Sequence, residues 1–208
     1  MNRIISLRVI KVSAACVLLF ALMLSAAGCL NMLPVYSMSD ATTVDNILYC
    51  TKKDDNSECV VIGTWWDGET TEIVYEIPDT FEGRSVTWLG DKITGFEIHQ
   101  PSQFVSYDPK DGKIHQRYVS DPIADVNDGS LEITDVTVTF KLGKNIRHIG
   151  KISPDYLALM NGDEPSVYRV HLFFEISDDN PVYYSRDGVP YLKSTDEKAD
   201  CAGFIGEF

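Results

Sequence analysis

Positive charge is what this sequence has least of: 18 Lys and Arg stand against 31 Asp and Glu in 208 residues, a net charge of −13. A surface this acidic repels a phosphate backbone, which excludes nucleic acid as an expected partner. Histidine is also rare. His99, His115, His148 and His171 stand singly and no Cys-x-x-Cys pair accompanies them, so neither a metal nor any other cofactor is expected. Gly-x-Ser-x-Gly, His-Glu-x-x-His, P-loop and Gly-x-Gly-x-x-Gly motifs are all missing. Carboxylates are too numerous for any pair to mark a hydrolytic site, so no catalytic residue is assigned and the chain is not read as an enzyme. Asp125-Val126-Asn127-Asp128-Gly129 and Asp178-Asp179-Asn180 gather oxygen ligands without calcium-loop spacing: Gly129 falls one position early, and Val136 stands where the closing Glu belongs. Asp and Asn there are read as turn residues.

Long apolar runs are absent but for one. Arg3, Arg8 and Lys11 precede the almost wholly apolar Val12 to Leu24, and the small residues Ser25, Ala26, Ala27 and Gly28 lead into Cys29. That order is the pattern of an export signal. Leu24-Ser25-Ala26-Ala27-Gly28-Cys29 resembles the lipobox of bacterial lipoproteins, with Ala26 where Leu is usual, and the resemblance implies cleavage before Cys29 and lipidation of its thiol. Two alternatives stand beside it. The uncharged stretch Val12 to Leu33 is long enough for an uncleaved signal anchor, since about 20 residues span a bilayer, and plain secretion is the other. Cleaved or anchored, the basic end stays inside and the rest faces outward, on the outer side of the cell membrane.

The mature part divides into a lipid-anchored tether, 29–45, and a single β-rich domain, 46–208. The tether is aperiodic and rich in Ser, Thr and Met. Short β-type runs follow at Ile47 to Thr51, Cys59 to Trp65, Glu72 to Ile77, Ser85 to Leu89 and Gly95 to His99. Val136, Val138, Phe140 and Leu142 alternate with polar residues, Tyr168, Val170, Leu172, Phe174 and Ile176 alternate with Arg169, His171, Phe173 and Glu175, and each set predicts a strand with one buried face. His148 and His171 fall on such strands as ordinary positions. One short helix is expected after Ser153, with Pro154 at its first position, Asp155 at its positive end and Asn161-Gly162 as its stop. The stretch 106–130, with Asp108-Pro109, Asp121-Pro122 and two Asp-Gly turns, reads as an irregular insertion. Of the three cysteines beyond Cys29, Cys50 and Cys59 flank a polar turn and are candidates for a disulfide, with a buried free thiol as the alternative.

Two segments echo one another: Val86-Thr87-Trp88-Leu89-Gly90 and Ile146-Arg147-His148-Ile149-Gly150 share an aliphatic, two variable residues, an aliphatic and a glycine. Glu76-Ile77-Pro78-Asp79-Thr80-Phe81-Glu82-Gly83-Arg84-Ser85-Val86-Thr87-Trp88-Leu89-Gly90 resembles the opening repeat of the surface leucine-rich repeat proteins of the bacterial BspA type. Asp178-Asp179-Asn180-Pro181-Val182-Tyr183-Tyr184-Ser185-Arg186-Asp187-Gly188-Val189-Pro190-Tyr191 resembles the Asn-Pro, aromatic, Asp-Gly-Val, aromatic segment of the same family. The resemblance covers roughly 46–95 and 131–194. It implies a mainly β, leucine-rich-repeat-like solenoid of short strands on a cell surface, in a family associated with adhesion and lacking a shared catalytic site.

The expected function is therefore recognition by a membrane-anchored surface lipoprotein, with an extracellular protein or glycan as partner. A structural envelope protein without its own ligand is the alternative, and a surface hydrolase a weaker one. Trp65, Trp66 and Trp88 are the candidate contact residues, because rigid rings offer large area at low entropic cost. Neighbours on a strand point to opposite faces, so Trp65 and Trp66 cannot both be buried in the same core.

Overall fold

The computed structural model describes residues 35–92, 95–101, 105–116, 122–125, 132–161 and 164–201. In chain order the strands are β1 (Thr42–Val44), β2 (Ile47–Thr51), β3 (Glu58–Trp65), β4 (Glu72–Ile77), β5 (Thr80–Phe81), β6 (Arg84–Leu89), β7 (Phe96–His99), β8 (Val105–Asp108) and β9 (Lys113–Gln116). They continue with β10 (Pro122–Asp125), β11 (Ile133–Leu142), β12 (His148–Ile149), β13 (Ile152–Ser153), β14 (Tyr156–Asn161), β15 (Glu164–Ile176), β16 (Tyr183–Arg186) and β17 (Val189–Leu192). The fold is mainly β, and among the described residues the one helical element is a 3-10 turn at Met38–Asp40.

Two sheets enclose the core. The first runs β1-β2-β3-β6-β12, with β7 and β13 continuing beside the far end of β3 and β5 folded back on β6. The second runs β14-β15-β11-β4, and its centre is parallel: β11 pairs β15 from Ile133↔Val167 to Leu142↔Ile176 and β4 from Thr137↔Glu72 to Leu142↔Ile77. Period-2 alternation decides what is buried. Val136, Val138, Phe140 and Leu142 all point into the core, as do Val170, Leu172 and Phe174. Phe140 occupies the centre, its ring 5.6 Å from Tyr75, 5.2 Å from Phe96 and 5.6 Å from Phe174. These rings join both sheets in one cluster with Ile47, Tyr49, Val61 and Leu89.

The two echoing segments lie side by side, in parallel register His148↔Trp88 and Ile149↔Leu89, with Ile152↔Phe96 continuing the match. Their glycines serve the same close approach. Gly90 has φ +74, and a Cβ there would stand 2.9 Å from the Phe96 Cβ; at Gly150 it would stand 2.8 Å from the Asp91 carbonyl oxygen. The carboxylate of fully buried Asp91 accepts the Val35 N–H at 2.8 Å.

Four expectations are corrected. Residues 156–161 form a strand, not a helix: Tyr156↔Arg169 to Asn161↔Glu164 pair β14 with β15. The capping residues Ser, Pro, Asp and Asn-Gly are also turn residues, and here a thirteen-residue neighbour offers a ladder that a two-turn helix cannot match. Residues 35–44 belong to the domain rather than to a tether, since Tyr36 is buried and bridges to Lys52, and β1 pairs β2. The stretch 106–130 is not irregular in its described part. It carries most of the antiparallel sheet β10-β9-β8, whose Val105 and Ile114 pack on Ala158 and Val167. Buried Gln100 staples that sheet to β14, donating to the Val105 carbonyl at 3.1 Å and accepting the Ala158 N–H at 2.9 Å.

Finally, Cys50 and Cys59 are free. The hairpin forms as expected, but Cys50 faces Val60 and Cys59 faces Thr51. Cys50 packs with Tyr36, Val60 and Ile62 on one side of the sheet, whereas Cys59 joins the main core on the other. Side chains that point apart cannot close a disulfide.

Asn180 ties the second sheet to the loops beyond it. Fully buried, it donates from Nδ2 to the carbonyls of Gly143 and Ile146, both at 2.9 Å, and its Oδ1 accepts the N–H groups of Val182 and Tyr183, both at 2.9 Å. All four of its hydrogen-bonding positions are used. Asn180→Ala strands those groups and is expected to destabilise the protein by about 3 kcal/mol; Asn180→Asp, which loses the donors, should do the same in urea unfolding.

Candidate functional site

The three tryptophans fall in different surroundings. Trp66 is core: it is 3% exposed, its Nε1–H donates to the Thr70 carbonyl at 2.7 Å, and its ring meets Tyr168 edge-on at 4.8 Å. It is thereby removed from the contact candidates. Trp65 is half-buried at the end of β3, stacked on His99 at 4.8 Å. Trp88 is half-buried on β6, its ring 4.2 Å from His148 on the adjoining strand. The alternation rule thus separates Trp65 from Trp66 as expected, and the structure does not bring all three rings into one site.

Trp88 has the richer surroundings. Lys52 and Lys92 place their ammonium groups 5.7 and 5.6 Å from its ring centroid, within the range of cation–π attraction. Glu58 orders one of these cations, accepting from Lys52 Nζ at 2.5 Å and from the Thr87 hydroxyl at 3.1 Å. Beside the ring, His148 is held neutral: burial and then the Lys92 charge push its pKa below the ordinary 6.5, against a smaller opposite pull from Asp91. Its Nε2 is buried without a hydrogen-bond partner. Val60 and the strip Val35 to Ala41 pack beside this patch. The result is a rigid aromatic surface with two ammonium groups on it, on an otherwise acidic protein.

Lys52, Lys92 and His148 were not singled out by the sequence reading. One signal could have found His148. Aligning the two echoing segments sets Trp88 and His148 at the same position, and side-by-side packing of the segments then makes them neighbours. The lysines carry no such signal, since they reach Trp88 from a turn and a strand end.

A second exposed constellation lies on the β16–β17 hairpin. The Arg186 guanidinium sits 5.4 Å from the Tyr184 ring and 4.5 Å from the Tyr191 ring, and Asp196 accepts from it at 2.8 Å and from the Tyr184 hydroxyl. These partners satisfy one another. His171 and His115 pair with Asp135 and Asp111 at 2.7 and 2.8 Å. Among the described residues, no three His, Cys, Asp or Glu side chains converge as metal ligands, and no helix is long and apolar enough to cross a membrane. Cys29 lies outside the described residues.

Comparison with known proteins adds no relative: no family model matches the chain, nor does any curated protein or solved structure.

Two measurements follow from these environments. Burial pushes the thiols of Cys50 and Cys201 up to about 12 and raises that of Cys59 as well; all three should resist iodoacetamide in the folded protein at pH 8 and react once it is unfolded. His148 is depressed when folded, so its contribution to stability is present above the ordinary value of 6.5 and is lost as pH falls through its folded pKa. Between pH 7 and 5 the wild type should therefore lose more thermal stability than His148→Phe, which keeps the stack and cannot charge.

Proposed function

We propose that the protein is a membrane-anchored extracytoplasmic lipoprotein, lipidated at Cys29, that acts as a surface recognition or adhesion module through contacts with proteins or glycans. The observation that carries the recognition reading is the Trp88 ring, half-buried on the first sheet with the ammonium groups of Lys52 and Lys92 over it. A flat ring fixed on a strand stacks on a sugar or apolar face with little loss of entropy, and the flanking lysines supply donors for carboxylate or hydroxyl groups. The anchoring reading rests on the basic end, the apolar run and the small residues before Cys29.

The body is proposed to be a short, leucine-rich-repeat-like solenoid related to the BspA-type surface proteins. Its support is the parallel pairing of the two echoing segments and of β11 with β4 on one side and β15 on the other, the arrangement that stacked repeats adopt. Asn180, from the Asn-Pro segment that carries the resemblance, holds the intervening turns together.

The test has two arms. Metabolic labelling with palmitate should mark the full chain and fail on Cys29→Ser. The full chain in detergent, applied to arrays of matrix proteins and glycans, should bind a restricted set, and Trp88→Ala should weaken that binding at least tenfold, or about 1.4 kcal/mol. Trp66→Ala should instead lower stability by about 3 kcal/mol or more. Binding untouched by Trp88→Ala would remove this face from the reading.

A further inference from the structure

β4 is the outer strand of the second sheet and pairs only with β11, so its other edge has no strand beside it among the described residues. The Thr137 N–H donates to the Thr71 carbonyl at 2.8 Å, which fixes the parity of the ladder. Carbonyls alternate along a strand, so Ile73, Tyr75 and Ile77 turn their backbone groups toward β11, and Glu72, Val74 and Glu76 turn theirs outward. Side chains follow the same alternation. Tyr75 and Ile77 are buried, whereas Glu72, Val74 and Glu76 are exposed, Val74 to 54%.

Edge strands of this kind are usually blunted by a proline, a bulge or an inward charge, and β4 has none of these within its length, nor does any of the described residues pair with its outer edge. An open groove of about 710 Å³ reaches over the end of β4, lined by Val74 to Pro78 and by Lys141 to Gly143 at the end of β11, with Asp45, Ile47 and Tyr49 completing it. Its floor is apolar where Ile47, Tyr49 and Tyr75 line it, and its outer rim is acidic at Asp45 and Glu76. Lys141 donates to Glu76 at 3.0 Å and leaves Glu72 and Asp45 as surplus negative charge.

Going beyond recognition at Trp88, we propose that the open edge of β4 takes up an extended peptide from another protein by strand addition, with cationic side chains facing solvent and apolar ones entering the groove. Backbone bonding to Glu72, Val74 and Glu76 supplies affinity that is independent of sequence, and the alternating side chains supply the choice. Lys or Arg opposite Glu72 and Glu76 adds favourable cross-strand pairs, and the cationic residue between them lays its methylene stem along Val74. A second copy of this chain fits badly. An antiparallel two-fold through Val74 would set Glu72 of each copy against Glu76 of the other, two like-charge pairs in direct opposition.

The experiment uses the full chain in detergent with a seven-residue peptide alternating Lys with Ile, Val and Leu, a matched peptide with Glu for Lys, and a version interrupted by proline. The lysine peptide should bind at least tenfold more tightly than the other two, and it should slow hydrogen exchange at the amides of Glu72, Val74 and Glu76 at least tenfold. The double variant Glu72→Lys/Glu76→Lys, exposed changes checked for unchanged Tm, should reverse the preference between the charged peptides. Val74→Pro, which removes the central outward N–H, should weaken binding where its Tm is preserved, and Trp88→Ala should leave it unchanged. Protection elsewhere with none at these three amides would overturn the proposal, as would equal binding of the glutamate peptide, loss of binding in Trp88→Ala, or concentration-dependent dimerisation through β4.

Discussion

Parallel pairing along β11 is the constraint on which the rest of the body depends. A parallel neighbour cannot be reached by a tight turn, so the chain must leave the second sheet after β4, travel, and return in the same direction. The first journey contains β5 to β10, and the second contains β12 to β14. On each, the chain lays short strands against β3 or against the strand laid before, which is why the first sheet is assembled from pieces: β6 and β7 beside β3, then β12 and β13 beside those. Phe140 stands where these consequences meet, between rings of the second sheet and Phe96 of the first.

The same constraint separates the roles of the two faces of the first sheet. Inward, Val61, Leu89 and Ile98 are committed to the core. Outward, the third positions of the two echoing segments place an indole against an imidazole, with lysines reaching over from Lys52 and Lys92. A ring held by a neighbouring imidazole loses little freedom when a ligand packs on it. The buried polar groups are handled differently: Asn180 spends its amide on backbone groups of the turns around it and Gln100 on backbone groups of β8 and β14, and so both carry no exposed chemistry.

Much of this was readable from residues. β2 and β4 have the bounds that the β-type runs give them, β3, β6 and β7 differ from theirs at one end by a residue, and the short strands β1 and β5 lie outside those runs. What failed did so where local signals have two meanings. Ser153-Pro154-Asp155 and Asn161-Gly162 bracket a helix or a strand equally well, and only the presence of β15 decides between them. The pair Cys50 and Cys59 brackets a real hairpin, but a one-residue offset across the ladder sends the two thiols to opposite sides of the sheet. Val35 to Val44 lacks a pattern because its place is set by single long-range contacts, the Val35 N–H on Asp91 and Tyr36 in a pocket beside Cys50, and periodicity cannot report those. That β4 is an edge was likewise invisible, since an edge is defined by what is not beside it.

The distance along the chain between partners governs how this body can be made. β4 is synthesised long before Thr137 to Leu142, its one partner among the described residues, and β11 is in turn only half covered until Val167 to Ile176 arrive. Loop closure must be met before these non-local contacts return anything, which places the molecule among slow, high-contact-order folders. During that interval three strands rich in Val, Ile and Phe stand unpaired, and Glu72, Glu76, Asp135 and Glu175, spaced along them, keep nascent copies from pairing with one another. The acidity that gives the finished protein its net negative charge therefore also guards it while it is still a chain.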